Sequence, residues 1–274
     1  MKSLRTPDEL AADIRRLGVR PGDVLMVHAS LRRIGPVAGG VRGVLDALDE
    51  AVGPDGALLM ILGAEIGHEW VNQRPETERA ALLANAAPYD PLTAPAFREV
   101  GYLAEAFRLR PGTIVTDNPS GRFGARGGRA AELLRGAPWD DYYGPGSPLE
   151  RLCNAGGGVL RLGADPETVT VLHHAEYLAN VRDKRRVRRH YRVMGPDGPV
   201  TRSVECLDDE FGIVDWNGED YFAEILKAYL AEGRARLGKV GNADSELIDA
   251  RDIVGFGAQW MSANFSRAVH GNPV

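Results

Sequence analysis

The sequence is poor in cysteine: its 274 residues include only Cys153 and Cys206. The two lie in unrelated contexts, and neither belongs to a CxxC pair. This argues against a disulfide framework and against a cysteine-ligated metal site, because both need more thiols at regular spacing. Two free cysteines are typical of a protein from a reducing compartment.

Long hydrophobic runs are missing as well. No apolar stretch approaches the roughly 20 residues that a membrane-spanning helix needs. The N-terminal stretch, MKSLRTPDELAADIRRLGV, lacks the apolar core and the small-residue cleavage site of a signal peptide. Thr6 and Pro7 instead predict the first turn of an amphipathic helix. We therefore expect a cytoplasmic protein without a membrane partner.

Positive charge is in the minority, since 33 Lys and Arg residues face 38 Asp and Glu residues and the formal net charge is −5. This balance disfavours nucleic acid as a partner and suits a cationic ligand. One segment departs from it: residues 182–190, RDKRRVRRH, carry six basic side chains in nine positions. The favoured interpretation is a solvated, salt-bridged strand. A cofactor phosphate or RNA stays open as a ligand, although the interleaved aromatics of single-strand binders are lacking.

The common nucleotide-binding motifs are absent too. Neither GxGxxG nor GxxxxGK[ST] occurs, and no arginine or glutamine begins the [RQ]xxGx[GA] pyrophosphate loop of the common acetyltransferase (GNAT) fold. Dinucleotide-binding and P-loop functions are therefore disfavoured.

The apolar pattern predicts a layered α/β fold. A short apolar run over residues 23–28 is followed by a glycine-rich loop, a helix over 41–53 and a second strand over 57–62. A hairpin is expected over 191–206, and helices are expected towards the C-terminus. Residues 64–95 are polar and irregular, as in an excursion around a site. With no internal repeat and no long linker, we expect one domain over 1–274.

One helix carries an unusual polar cluster. In TVTVLHHAEYLA, residues 168–179, helical spacing puts His173, Glu176 and Tyr177 on one face. His173 and His174 then have three interpretations: a structural pair, a general base whose ring is held by a carboxylate, or a metal site. The spacing does not fit the zinc-protease motif, in which the two histidines stand four residues apart.

Two glycine-rich segments predict further parts of a site. HASLRRIGPVAGG joins a strand to a helix through Ser30, and NPSGRFGARGG is interpreted as a second loop that feeds a helix. Backbone N–H groups at such helix entries suit a phosphate or an extended polar ligand.

Taken in order, the segments resemble the aminoglycoside 3-N-acetyltransferases, a family unrelated to the GNAT fold. The resemblance runs almost from end to end of the chain. It rests on these stretches: VLMVHASLRRIGPVAGG, VRGVLDAL with VGPDGALLM, YDPLTAPAFREVGYLAEAFR, NPSGRFGARGGRAAELL, GPGSPLERL, GGVLRLGADPETVTVLHHAEYLA and RDIVGFGAQW.

The resemblance implies a single layered α/β domain with a central mixed sheet flanked by helices. It implies acetyl-CoA as the donor, an aminoglycoside as the acceptor and no metal; a homodimer stays open. The motif that holds the family's essential histidine falls here on His173. The catalytic residues implied are His173, Glu205 and Glu65. The coenzyme contacts implied are Ser30, Leu31, Arg32, Val37, Gly121, Arg122 and Phe123. The acceptor contacts implied are Glu65, Glu176, Glu205, Asp208 and Asp209.

Two departures from the family fall where the ligands are expected. Arg122 stands where many members have serine, and MILGAEIGHEW replaces an aromatic-rich segment. We expect direct acetyl transfer in a ternary complex, with His173 removing the proton of the amine and N–H groups near Ser30 stabilising the developing oxyanion. Three alternatives remain: a different small-molecule amine as acceptor, a non-catalytic binder of a cationic ligand, and an acyl-enzyme on Cys206.

Overall fold

A computed structural model describes residues 4–218 and 220–268 of the chain. Within these residues it contains nine strands: β1 (Val24–Ala29), β2 (Ala57–Ile61), β3 (Ile114–Val115), β4 (Phe123–Gly127), β5 (Gly158–Leu162), β6 (Arg186–Gly195), β7 (Gly198–Leu207), β8 (Arg236–Val240) and β9 (Ala243–Asp249). Seven of them form one sheet in the order β3-β4-β2-β1-β5-β9-β8, and β6 and β7 form a separate hairpin.

The same residues contain ten α-helices: α1 (Pro7–Leu17), α2 (Leu31–Ile34), α3 (Val41–Val52), α4 (Glu76–Leu83), α5 (Tyr102–Arg108), α6 (Ala130–Leu134), α7 (Pro148–Asn154), α8 (Leu172–Leu178), α9 (Tyr221–Ala231) and α10 (Ala250–Ala268). Two 3-10 helices cover Glu69–Gln73 and Arg98–Val100. Among the described residues, no helix combines the length and the apolar character needed to cross a bilayer.

The predicted N-terminal helix is confirmed as α1. The Thr6 side chain accepts a hydrogen bond from the N–H of Glu9, the Glu9 side chain accepts one from the N–H of Thr6, and Pro7 occupies the first turn. This reciprocal cap satisfies two N–H groups that would otherwise lack a partner inside the helix. Leu10, Ile14 and Leu17 are buried, which aligns the helix over the sheet.

The expected mixed sheet is confirmed. β1 pairs in parallel with β2 on one side and with β5 on the other, and the outer strands pair antiparallel. Alternate β1 side chains enter two cores: Leu25 and Val27 pack in the cluster that contains α1 and α3, whereas Met26 packs in the one that contains α7, α8 and α10. Helices on both faces explain why the central strands are almost entirely apolar, with His28 and Arg161 as the exceptions in β1 and β5.

The second glycine-rich segment is not the loop that the sequence predicted. Residues Phe123–Gly127 form β4, which pairs antiparallel with β2. Its glycines allow close packing: a Cβ atom on Gly127, where φ is +110°, would lie 2.4 Å from the carbonyl oxygen of Gly56. The part of the segment predicted as a loop is therefore a strand in which glycine lets the neighbouring chain come close, whereas the helix expected after it is present as α6. The hairpin of β8 and β9 was likewise not predicted.

The second half of the basic segment, residues 186–190, forms the start of β6. Arg186 pairs with Asp141 at 2.9 Å, Arg188 with Glu205 at 2.8 Å and Arg189 with Asp209 at 2.7 Å. The predicted salt-bridged strand is thus present. These ion pairs neutralise most of the positive charge of the strand, so β6 does not present an exposed basic patch.

Candidate functional site

The candidate site lies along one edge of the sheet. Since β1, β2 and β5 run parallel, their last residues Ala29, Ile61 and Leu162 lie at the same edge. Ligands in α/β proteins bind outside the carboxyl ends of such strands. The chain leaving β1 carries Ser30, and the chain leaving β5 leads to His173.

His173 is held in a fixed orientation by three contacts. Its Nδ1 lies 2.8 Å from Glu176 Oε2, and because an ionised carboxylate only accepts, Nδ1 carries the proton of that hydrogen bond. The ring stacks on Tyr143, with centroids 4.7 Å apart and planes 9° from parallel. Phe222 meets the ring edge-on at 4.8 Å. Nε2 makes no hydrogen bond to any residue that the structure describes, so its lone pair is available to a ligand.

Glu176 supports the ring from the protein interior. The residue is 1% exposed, and its second oxygen, Oε1, accepts a hydrogen bond from the hydroxyl of Tyr221. Both carboxylate oxygens are therefore hydrogen-bonded, as a buried carboxylate requires. This buried position makes Glu176 a support for His173, which corrects the expectation that its side chain contacts the acceptor.

The electrostatic surroundings of His173 favour its protonated form. Burial lowers the His173 pKa, but the charge of Glu176 and its hydrogen bond act in the opposite direction, with smaller contributions from Asp209 and Asp220. The net result is a pKa above the ordinary value for histidine. The imidazole therefore accepts a proton readily, and it becomes a free base only above that raised pKa.

His173 lines one of two adjoining cavities. The smaller one, which we call the histidine cavity, has a volume of about 390 Å³. It is lined by Glu167, His173, Asp209, Glu210, Phe211, Gly212, Trp216, Gly218, Asp220, Tyr221 and Phe222.

The second one, which we call the large cavity, has a volume of about 1000 Å³. It is lined by Gly63, Ala64, Glu69, Trp70, Asn72, Gln73, Arg79, Phe97, Glu99, Pro119, Ser120, Val187, Arg188, Arg189, Tyr191, Asp208, Asp209, Glu210 and Phe211. Both cavities are bounded by Asp209, Glu210 and Phe211, so these three residues mark their junction.

The predicted irregular segment supplies much of the large cavity's wall. Glu69 and Trp70 lie on the 3-10 helix within it, and Trp70 remains 48% exposed. Burial raises the pKa of Glu69, and the nearby charge of Glu65 raises it further. A cationic ligand would relieve this carboxylate repulsion, since an opposite charge favours the ionised form.

Asp208 and Asp209, which were expected to bind the acceptor, both have partners within the protein. Asp208 accepts hydrogen bonds from the N–H groups of Glu210 and Phe211, which closes a turn. Asp209 accepts one from the Tyr142 hydroxyl at 2.6 Å and pairs with Arg189. The turn leaves the Phe211 side chain 72% exposed between the cavities.

Glu65 and Glu205 lie apart from His173. Glu65 Oε1 accepts a hydrogen bond from the N–H of Arg98 at 2.7 Å, beside the large cavity. Glu205 is on β7, where its carboxylate is bound by Arg186 and Arg188, and its side chain lines neither cavity. The carboxylate hydrogen-bonded to His173 is therefore Glu176 and not Glu205, so the position of Glu205 gives no support to the catalytic role implied for it.

The first expected coenzyme loop keeps its place at the sheet edge. The Ser30 N–H donates to the carbonyl of Leu162 at 3.0 Å, so it is not free to stabilise an oxyanion. Arg32 is exposed, Leu31 is half-buried and Val37 is buried. Ser30, Leu31, Arg32 and Val37 line neither of the two cavities, and their coenzyme contacts remain predictions.

In the second expected coenzyme loop, Gly121, Arg122 and Phe123 line neither cavity. The Arg122 guanidinium is 0% exposed and donates to the carbonyls of Pro91, Ala94 and Pro95. Phe123 is also fully buried, and a Cβ atom on Gly121 would meet the Tyr142 ring. The expected contact from the Arg122 side chain is therefore corrected: this arginine ties two loops together.

The remaining candidates have structural surroundings. His174 is 3% exposed, and its Nδ1 lies 3.0 Å from the carbonyl oxygen of Tyr143. Cys206 is 1% exposed, and burial raises its thiol pKa to about 12. A nucleophilic cysteine needs a lowered pKa and an open position, so the acyl-enzyme alternative loses its basis.

Several residues of the site were not identified from the sequence. Tyr143 and Phe222 bracket the His173 ring, and Tyr221 holds Glu176, although all three are distant from residue 173 along the chain. Glu210 and Phe211 directly follow the predicted Asp208 and Asp209, so their position in the segment DDEFG was the available signal. No periodicity in the sequence indicates that Tyr143 and Phe222 contact the His173 ring.

Comparison with known proteins identifies relatives over nearly the whole chain. The family model described as aminoglycoside 3-N-acetyltransferase matches residues 26–262. Aminoglycoside N(3)-acetyltransferase VII of Streptomyces paromomycinus is 38% identical over 268 residues, which cover 96% of this chain and 93% of the relative. Aminoglycoside N(3)-acetyltransferase III of Pseudomonas aeruginosa is 38% identical over 260 residues, covering 95% and 94%.

Solved structures give the same result for the fold. AAC-IIIb in a binary complex with CoASH aligns with a TM-score of 0.90 at 38% identity, covering 99% of this chain and 100% of that one. Sisomicin-bound AAC-VIa aligns with a TM-score of 0.88 at 37% identity, covering 95% and 99%. The resemblance seen in the sequence is confirmed, and this chain belongs to the aminoglycoside 3-N-acetyltransferase family of acyltransferases.

Proposed function

We propose that this protein transfers the acetyl group of acetyl-CoA to the 3-amino group of the 2-deoxystreptamine ring of aminoglycosides, and thereby confers resistance. The observation that carries the proposal is the state of His173. Its Nδ1 is bound by a buried carboxylate, its ring is held between two aromatic side chains, and its Nε2 is free at a cavity with acidic walls.

The ligands of the relatives support both substrate classes. AAC-IIIb was solved with CoASH and AAC-VIa with sisomicin, each at 37–38% identity to this chain. Two adjoining cavities that meet at Asp209, Glu210 and Phe211 suit a reaction in which two separately bound molecules must meet. The arrangement therefore favours direct transfer in a ternary complex.

The proton step is assigned to His173. An amine at neutral pH is mainly ammonium, which has no lone pair for attack. Nε2 removes a proton from the acceptor nitrogen, and Glu176 stabilises the imidazolium that results through the hydrogen bond at Nδ1. A positioned general base of this kind contributes roughly 100- to 10,000-fold in rate. The aromatic contacts of Tyr143 and Phe222 keep the ring in one orientation while the proton moves.

The acceptor is assigned to the acidic walls. Glu167 and Asp220 line the histidine cavity, Glu69 and Glu99 line the large cavity, and Glu210 lies between them. A ligand with several ammonium groups would complement these carboxylates, and the net charge of −5 would assist its approach. Glu65 contributes through its effect on Glu69 and through the hydrogen bond by which it fixes the N–H of Arg98.

Acetyl-CoA supplies a thioester, in which the carbonyl carbon is open to attack and the thiol is a good leaving group. The residues that we propose to bind it are those at the carboxyl edge of the sheet: the loop that begins with Ser30 and the backbone around Gly121. Pro119 and Ser120 of the second loop already line the large cavity.

The proposal is tested by thiol release from acetyl-CoA against a panel of aminoglycosides that includes sisomicin and gentamicin. The product is examined by NMR to locate the acetylated nitrogen. We expect CoA release well above the buffer rate, with the acetyl group on the 3-amine. His190→Gln is a suitable control, because His190 has a partly exposed ring that lines neither cavity.

Three outcomes would decide against the proposal. Acetylation of another nitrogen would refute the stated position. Transfer to a different amine but to no member of the panel would favour the alternative acceptor. Tight binding of aminoglycosides without release of CoA would identify a non-catalytic binder.

A further inference from the structure

The hydroxyl of Tyr221, a residue that lines the histidine cavity beside His173, contacts the histidine–glutamate pair at Glu176. Tyr221 is the first residue of α9, and its hydroxyl donates a hydrogen bond to Glu176 Oε1, the oxygen that His173 does not use. The contacts form a chain from Tyr221 through Glu176 to His173. The Tyr221 ring is fixed by edge contacts with Phe222 at 5.0 Å and Phe265 at 5.2 Å.

Resting on the general-base role of His173, we propose that Tyr221 is a positioning residue that sets the basicity of His173 by sharing the negative charge of Glu176. A carboxylate that accepts a second hydrogen bond holds a neighbouring imidazolium less strongly, because part of its charge is stabilised elsewhere. Tyr221 therefore lets His173 release its proton at a lower pH than Glu176 alone would permit.

The donor role of Tyr221 is favoured by its own surroundings. Burial raises the pKa of its hydroxyl, and the charge of Glu176 raises it further. The hydroxyl consequently keeps its proton throughout the working range and can only donate to the carboxylate. This matters because a proton on the phenol is the feature that withdraws charge from Glu176.

Other charged groups face the pair without hydrogen-bonding to it. Asp209 and Asp220 both raise the His173 pKa from neighbouring loops, and Glu167 lines the same cavity. Lys184 is near enough for Glu176 to affect its pKa, but its ammonium donates to the carbonyl of Tyr177 at 3.0 Å. Among the described residues, only His173 and Tyr221 bind the Glu176 side chain, so removing the hydroxyl changes one defined contact.

The test uses Tyr221→Phe with Tyr229→Phe as its matched control. Tyr229 lies on the same helix, is fully buried, and donates its hydroxyl to a different carboxylate, Asp252 Oδ2, at 2.7 Å. The titration of His173 is followed by NMR of histidine-labelled protein without substrates. Its signal is identified among the six histidines by its loss in His173→Gln.

We expect the His173 titration to move to higher pH in Tyr221→Phe and to stay in place in Tyr229→Phe. In a Glu176→Gln background, Tyr221→Phe should have no effect, since the intermediary carboxylate is gone. Where acetyl transfer is measured, kcat/KM for the acceptor should fall by about threefold at pH 6 and stay unchanged at pH 9. The reason is that protonated His173 would lose its proton only at a higher pH.

A second substitution guards against a misfolded Tyr221→Phe protein. Difluorotyrosine at position 221 keeps the ring and strengthens the donor, so the His173 titration should move to lower pH. An unchanged titration in both variants, or a shift in the opposite direction, would overturn the role of Tyr221. The NMR readout needs no turnover: a protein without acetyltransferase activity would refute the proposed function and leave the Tyr221 shift to be judged separately.

Discussion

Replacing Glu176 by glutamine tests the histidine–glutamate pair most closely. The substitution keeps the shape of the side chain but removes the charge that faces Nδ1 of His173. Burial would then dominate the His173 pKa, because the largest opposing contribution comes from Glu176. We therefore expect the acidic limb of the kcat/KM profile to move to lower pH.

The size of the rate loss follows from the hydrogen bond. A hydrogen bond to a charged partner contributes about 1.5–3 kcal/mol, and about 1.36 kcal/mol corresponds to a factor of ten. Solvent screening is small here, since the side chains of His173 and Glu176 are 18% and 1% exposed. Glu176→Gln should thus lower the pH-independent kcat/KM by about 10- to 100-fold.

The assay is CoA release from acetyl-CoA at saturating concentration, measured from pH 5.5 to 9.5 with one aminoglycoside. Glu205→Gln is the matched control, because the Glu205 carboxylate lines neither cavity and binds Arg186 and Arg188 instead of His173. Its profile should match that of the unmodified protein. A limb that stays in place in Glu176→Gln, or one that moves in Glu205→Gln instead, would refute the assignment of Glu176.

Three further predictions concern residues around the site. Arg122→Ser should destabilise the protein by about 3 kcal/mol or more in urea unfolding, because three carbonyls lose a charged donor; a raised KM for acetyl-CoA with unchanged stability would instead favour a coenzyme contact. Gly127→Ala should lower the thermal midpoint, at a cost of about 2 kcal/mol or more, since its Cβ atom would strike Gly56 at a positive φ; an unchanged midpoint would contradict the packing of β4. Phe211→Ala should raise the KM for the acceptor by about 10-fold without changing the midpoint, because the ring is exposed at the junction of the cavities; an unchanged KM would remove it from the acceptor site.

The sequence was sufficient for the parallel centre of the fold and for the helix that carries His173. The strands β1, β2 and β5 are short runs that are apolar except for His28 and Arg161, and glycines lie near their ends, which is a strong local signal. β4 could not be identified in the same way, because Gly124 and Gly127 in FGARG are typical of loops. Their role depends on the groups packed against them, which are Leu62 and Phe107 at Gly124 and the backbone of Gly56 at Gly127. Such tertiary contacts cannot be deduced from the pattern of a single sequence.

The site was predictable to a similar extent. The spacing of three residues brought Glu176 to His173, since a helix places such pairs on one face. Burial then decided which carboxylate orients the ring: Glu176 is enclosed by α8 and α9, whereas Glu205 lies on the outer face of a hairpin strand. Arg122 was misjudged for a related reason, because a charged side chain in a polar loop is expected to be exposed unless its partners are known.

The most direct measurement is a single-turnover experiment with His173→Ala at pH 8, combined with calorimetric titration of the aminoglycoside. Acetyl transfer should slow by at least 100-fold, which is the lower end of what a positioned base contributes. The dissociation constant should change by no more than a few-fold, because the carboxylates that we propose to bind the acceptor remain. Transfer at close to the original rate would contradict the assignment of His173 as the residue that removes the proton from the amine.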